Sequence, residues 1–410
     1  MREKKKILWL SLLLFLILCL SIPLSLSVST ASYNPQYYPL SQNDAEIQNA
    51  LNYLRTLQND DGGFGNPGKE SAVSSTEWTV MAIAAAGEDP HKWKKNGQSP
   101  IDYLQENAND LAGSTDYERM ILALVAAGEN PRDFAGKDFV AELKEKYLKE
   151  NGQFSDFTYT TLWGILALSS AGEDVSKSAE WLKTQQNDDG GFAWVPGEKS
   201  DCDDTAAAIE ALIAAGENHD SVVIKDALEY LKTGQNTDGG FKYFGSSPSN
   251  AASDAWIIQA IVACGQNPKD KEWTTNGKNP VDHLLSLQQS DGYFNYTTYI
   301  KSNPGYMTVC AVMALLGKPH PIIASLSPPP VPTPMPTVVP TASTSTPAPA
   351  PILASTPSPT PTSTPTPTVT EKPAASSTNV ETSGFDLLSC ITGLLAAAFA
   401  FVILCKTKKP

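Results

Sequence analysis

A helix-ending glycine recurs along the chain and sets its register. The tails read AAAGEDP, VAAGENP, SSAGED, IAAGEN, VACGQNP and ALLGKP, and Gly87, Gly128, Gly172, Gly216, Gly265 and Gly317 stand 41, 44, 44, 49 and 52 residues apart. Glycine ends helices because it enters the left-handed region without a Cβ penalty, and a proline soon after cannot continue the helix. A second marker lies upstream, as LQNDDGGF ending at Phe64, QQNDDGGF at Phe192, GQNTDGGF at Phe241 and QQSDGYF at Phe294. The third copy keeps only GQF, ending at Phe154, and the second has lost the marker. Self-similarity of this kind marks units that bury their apolar faces only by stacking on neighbours. Each unit reads as helix, turn, helix. The expected fold is therefore all-α: about six such units closed into an α/α toroid, an (α/α)6 barrel with the second helix of each unit inside.

Aligning the second helices on their glycines separates their faces. Positions seven and four before the glycine hold Val80, Ile121, Ile165, Ile209, Ile258 and Cys310, then Ile83, Leu124, Leu168, Leu212, Ile261 and Met313. That stripe is the packed face. Twelve before the glycine stand Ser75, Asp116, Thr160, Asp204, Ser253 and Gly305, residue types favoured as N-caps and expected to cap these helices. At about 100° per residue, positions thirteen, nine, six and two before the glycine face the ring centre.

The nine-before position holds Trp78, Arg119, Trp163, Ala207, Trp256 and Thr308. Three tryptophans on one level can hold a flat or apolar ligand, stabilise a cation through their ring faces, or simply fill the centre. Glu210 and Gln259, six before their glycines, put polar groups where other copies are mostly apolar. The candidate ligand-binding set is Trp78, Trp163, Trp256, Arg119, Glu210 and Gln259.

The run Asp201-Cys202-Asp203-Asp204-Thr205-Ala206 opens the fourth second helix. Clustered carboxyl groups cannot all ionise, so one keeps its proton and can act as an acid. Asp203 falls on the cavity face; Asp201 and Asp204 support it. The plainer reading makes Asp204 a helix cap whose charge favours the helix N-terminus. The trio also offers hard oxygen ligands for calcium, without EF-hand spacing, and Asp203 with Glu210 offers a glycosidase-like carboxylate pair, without a sugar-specific motif.

The ends differ in composition from the repeats. Residues 1–31 read as a signal peptide, with Arg2 and Lys4 to Lys6, an apolar stretch from Ile7 to Leu20, and small residues at Ser29 and Ala31. Residues 32–320 carry the repeats, 321–383 a Pro/Thr/Ser-rich linker with the character of an extended stalk, and 384–410 a transmembrane or sorting tail. Leu387 to Cys405 is a 19-residue apolar run followed by lysines, long enough to span a bilayer as a C-terminal transmembrane helix. The expected location is the cell surface, with the repeats outside and the membrane reached through that helix. A net charge of −14 disfavours nucleic acid as partner. The repeats hold only Cys202, Cys264 and Cys310, which form no disulfide framework. The four histidines, at 91, 219, 283 and 320, are scattered, so no metal and no cofactor is expected.

The upstream marker resembles the repeat of squalene–hopene cyclases, oxidosqualene cyclases and protein prenyltransferase β subunits. That pattern is an aromatic, an aliphatic, three residues, Gln, three residues, Gly, any residue and Trp. Tyr53-Leu54, Gln58, Gly62 and Phe64 match it, as do Trp181-Leu182, Gln186, Gly190 and Phe192, then Tyr230-Leu231, Gln235, Gly239 and Phe241, and more loosely His283-Leu284, Gln288, Gly292 and Phe294. Phe replaces the final Trp throughout. The resemblance covers roughly residues 41–320 and implies the α/α toroid. The Asp201–Ala206 run resembles the DxDDTA motif of class II terpene cyclases, in which the middle Asp protonates an alkene or epoxide; this implies Asp203 as the acid. No turn carries the Cys that prenyltransferases use for zinc. Full class II cyclases place their site between two helical domains, and this chain has one. The expected partner is an apolar or isoprenoid-like small molecule held in the cavity, with a proton-initiated cyclase as the alternative.

Overall fold

The computed structural model describes residues 37–323. The expected signal peptide, the linker beyond 323 and the membrane tail lie outside the described residues. Within them no helix is long and apolar enough to cross a membrane, and there is no strand.

Twelve α-helices alternate between outer and inner positions: α1 (Ala45–Thr56), α2 (Val73–Ala85), α3 (Pro100–Glu106), α4 (Ser114–Ala127), α5 (Phe139–Tyr147), α6 (Thr158–Ser170), α7 (Ser176–Lys183), α8 (Cys202–Ala214), α9 (Val222–Thr233), α10 (Ala251–Ala263), α11 (Pro280–Ser286) and α12 (Pro304–Leu315). The even-numbered helices are buried on nearly every side, whereas α1, α7 and α9 bury one stripe. Each inner helix packs on the next, and α12 packs back on α2. The ring is closed, as the repeat predicts.

The marker explains the closure. Its glutamine donates to its own turn and to the backbone of the next unit: Gln58 to the Trp93 carbonyl, Gln186 to Val223, Gln235 to Trp273, each at 2.8 Å. Gln288 reaches the Glu46 carbonyl of the first unit at 2.8 Å, so the last joint repeats the others. The marker glycine is required there. Gly292 has φ +91°, and a Cβ on it would lie 2.1 Å from the Asn49 carbonyl oxygen. The marker phenylalanines Phe64, Phe154, Phe192, Phe241 and Phe294 are fully buried between units. Their N–H groups are answered by inner-helix side chains: Thr76, Thr161, Thr205, Asp254 and Thr308 respectively.

Two register expectations are corrected. The residues twelve before each glycine are not N-caps. The caps are Ala72, Gly113, Phe157, Asp201, Asn250 and Asn303, mostly three residues earlier. Asp204 therefore sits at the third helical position, capped by Asp201, whose Oδ1 accepts from its N–H at 2.9 Å. An acidic or polar residue is favoured there too, because it can bond back to the cap, as Asp116 does at the Gly113 N–H. In the sixth unit the bond to the marker Phe comes from Thr308, nine residues before Gly317, where other units use the residue eleven before. The register of α12 slips by two. Tyr306 thereby stands level with Tyr159 and Asp203, and Cys310 rather than Thr308 reaches the tryptophan level.

Candidate functional site: the ring centre and its mouth

Three levels of side chains occupy the axis, separated by about 6 and 4.5 Å along the inner helices. The uppermost, at the helix N-termini, holds Tyr159, Asp203 and Tyr306. The middle holds Trp78, Trp163, Trp256 and Arg119. The lowest holds Glu210 and Gln259.

The sequence-predicted tryptophans meet one another. Ring centroids are 5.3 Å apart for Trp78 and Trp163, 5.4 Å for Trp163 and Trp256, and 6.2 Å for Trp78 and Trp256, all edge-to-face. These are contact distances for aromatic pairs, so the middle level is filled by its own rings. Tyr306 stacks its edge on Trp78 at 5.3 Å and shares a hydrogen bond with the Trp256 indole. Arg119, on the same level, is held by two carboxylates. Its Nε donates to Glu77 Oε2 at 3.1 Å and its guanidinium pairs with Asp116 at 2.6 Å. Burial still pushes the Glu77 carboxyl up to about 7, against the pull of Arg119.

At the lowest level sits a residue that sequence reasoning passed over. After Gly317 the chain turns into the ring and places His320, 3 % exposed, under the tryptophans. Its ring stacks on Trp256 at 5.1 Å and 22°, and stands edge-to-face to Trp78 and Trp163 at 5.9 and 5.7 Å. The His320 N–H donates to Glu210 Oε2 at 2.5 Å, and Nδ1 lies 3.3 Å from the same oxygen. Gln259 Nε2 donates to the Lys318 carbonyl at 2.9 Å and lies 3.2 Å from His320 Nδ1. Glu210 and Gln259 are thus the polar anchors of this returning segment. The only sequence signal was their polarity on an otherwise apolar level.

At the mouth, Asp201, Asp203 and Asp204 come together on the first turn of α8. Asp201 is buried, and its carboxyl shares a hydrogen bond with that of Asp204. Burial raises both, and their mutual proximity keeps a proton between them. Asp203 is pushed up to about 8, by burial first and then by the charges of Asp201 and Asp254, against a hydrogen bond from Ser253. Its Oδ1 is buried with no partner. The cluster therefore holds an acid that is neutral at neutral pH. Among the described residues no group of three His, Cys, Asp or Glu is placed to hold a metal.

Aromatic side chains ring this cluster. The residues two after the marker Phe are Trp194, Tyr243 and Tyr296, and their carbonyls accept from the first inner-helix N–H groups of Thr158, Cys202 and Ala251. Burial first, and then the nearby charges of Asp201, Asp204 and Asp203, raise the Tyr243 hydroxyl. Trp194, 46 % exposed, lies nearly parallel to Phe157 and Tyr159, with interplanar angles of 14° and 13° and centroids 5.9 and 6.3 Å away. Burial, then the charges of Glu118 and Asp204, raise the Tyr159 hydroxyl, which stands level with Asp203 on the neighbouring inner helix. An aromatic strip thus runs from solvent to the carboxyl cluster.

The model of the prenyltransferase alpha-alpha toroid domain matches residues 26–115 and 134–324, more than half of the chain. The chain belongs to that family. No curated protein sequence matches it. Among solved structures it is similar to the type II terpene cyclase MstE from Scytonema without ligand, at 16% identity and a TM-score of 0.52, over 68% of this chain and 98% of that one. It is also similar to an arginine-to-alanine variant of that enzyme in complex with its substrate, geranylgeranyl dihydroxybenzoate, at 15% identity and a TM-score of 0.51, over 66% and 96% of the two chains. At such identities the likeness is one of fold.

Proposed function

We propose that this protein is a cell-surface-tethered toroid that binds an apolar, isoprenoid-like small molecule at the mouth of its ring. The observation that carries the reading is the strip of Trp194, Phe157 and Tyr159, which ends near Asp204. A partly exposed parallel set of rings offers apolar area at little entropic cost, and neutral carboxyl groups beside it do not penalise an apolar guest as ionised ones would. Below, the tryptophans form the floor. The ligand therefore rests above Trp78, Trp163 and Trp256, between Tyr159, Asp203 and Tyr306. The isoprenoid substrate bound by the MstE variant supports the ligand class. Export through residues 1–31 and anchoring through the apolar run at 387–405 supply the location.

A second reading is favoured by one feature, the unpartnered Oδ1 of a neutral Asp203. An acid so placed can protonate an alkene, with Asp201 and Asp204 sharpening it, and the guest would cyclise rather than simply bind.

One experiment separates the readings. The closed ring, residues 33–323, is incubated with total lipid extract as wild type, Asp203→Asn and Trp194→Ala, then re-extracted for gas chromatography–mass spectrometry. Binding predicts an unchanged lipid recovered from wild type and Asp203→Asn and lost from Trp194→Ala, which keeps the backbone carbonyl that accepts from Thr158 and is checked for folding by circular dichroism. A new cyclic product with wild type alone establishes catalysis. Folded wild type that retains and converts nothing refutes both.

A further inference from the structure

The lowest level of the axis has the chemistry of a receptor for a charged guest, and it is already occupied. Three tryptophan rings surround the His320 imidazole, one face-on and two edge-on. The Glu210 carboxylate closes the set from below. Both His320 and Glu210 are buried, at 3 % and 0 % exposed. Glu210 Oε1 and His320 Nε2 have no hydrogen-bond partner. A buried carboxylate answered only by a backbone N–H and a shared contact is costly with a neutral guest. With a cation the same groups become an aromatic cage with a counter-ion, the arrangement that recognises organic cations.

We propose that the ring centre beneath Trp78, Trp163 and Trp256 is a binding site for a small organic cation, an alkylammonium or imidazolium, filled here by the chain's own His320. The segment Lys318 to Ile322 is then an internal ligand. It is held by the Glu210 bond to the His320 N–H and the Gln259 bond to the Lys318 carbonyl. Withdrawal of the imidazole leaves a space of matching shape with Glu210 at its base. This site shares the three tryptophans with the mouth but takes its guest on their opposite side, two levels below Asp203, and uses none of the aromatic strip.

The test replaces the internal guest in the full-length protein. His320→Gly keeps the backbone N–H that Glu210 accepts and removes only the ring. A hundredfold excess of 1,3-dimethylimidazolium over its dissociation constant should raise the melting temperature of this variant by roughly 5–10 °C. Neutral toluene should leave it unmoved, wild type should not respond, and His320→Gly with Glu210→Gln should lose the response. A second pair needs no added ligand. His320→Lys should melt above His320→Met, because the two chains are similarly long and differ chiefly in charge. Toluene protecting His320→Gly as well as the cation does would overturn the proposal. So would His320→Lys proving no more stable than His320→Met, whether or not His320→Gly folds.

Discussion

The seam between the last and first units is testable through one hydrogen atom. Gly292 and Gly216 share almost the same backbone angle, φ +91° and +90°, but their surroundings differ. Nothing lies within 4 Å of a Cβ on Gly216, whereas a Cβ on Gly292 meets the Asn49 carbonyl oxygen at 2.1 Å and its carbon at 2.6 Å. Alanine at either position incurs the left-handed penalty of about 1–2 kcal/mol. At Gly292 it must also displace backbone. That adds about 1–3 kcal/mol for overpacking, and about 1 kcal/mol more as the Gln288 bond to Glu46, 2.8 Å long, is lost. Gly292→Ala should therefore be less stable than Gly216→Ala by about 2–4 kcal/mol. For a domain of this size that is roughly 4–16 °C in melting temperature, read by far-ultraviolet circular dichroism. If the two variants melt within about a degree of each other, the closure does not depend on the close approach at this turn.

Other expectations follow from the buried charges. Burial, then the charge of Asp201, pushes the Asp203 carboxyl up to about 8 in the folded state, above its unfolded value, so the folded protein binds more protons between about pH 4 and pH 8. Stability should fall as pH rises through that window, by at most about 1.4 kcal/mol per pH unit from this group, and Asp203→Asn should flatten the slope in urea titrations. Arg119→Met strands Glu77 and should cost about 3–5 kcal/mol near pH 8, a loss that shrinks in acid as Glu77 takes up a proton. Trp78→Ala removes the ring that touches Trp163, Trp256, Tyr306 and His320 together, and should cost about 3–5 kcal/mol by chemical denaturation.

The glycine tails and the marker carried the whole architecture because closing the ring asks the same thing of every joint: a glutamine that reaches the next backbone and a glycine it can press against. Single levels within a helix were less legible. Residue types that favour N-caps also favour the third helical position, so Ser75, Asp116 and Asp204 looked like caps while Ala72 and Phe157 carried no side-chain signal. The two-residue slip in α12 is invisible when helices are aligned on their final glycine, because it arises at the other end, where Thr308 meets Phe294. The carboxyl cluster was legible as a run of letters. Its partner strip was not, since Phe157, Tyr159 and Trp194 come from two different turns. His320 lay where composition was already shifting toward the proline-rich linker, and only the fold shows it returning to Glu210.

The seam also dictates an order of events during synthesis. Gln288 and Glu46 are 242 residues apart, and the Leu40 N–H and Tyr38 hydroxyl bond to the Leu315 and Ala314 carbonyls at 2.9 Å. A chain emerging from its N-terminus can stack units one through five as they appear, but α1 and α2 keep an uncovered apolar flank until α12 arrives. Contacts of such separation carry a large loop-closure cost and form late. The partly emerged protein is an open arc with two sticky ends, and neighbouring arcs can join one another before each joins itself. A cell making this protein therefore gains from keeping nascent copies apart until the final helix has been synthesised.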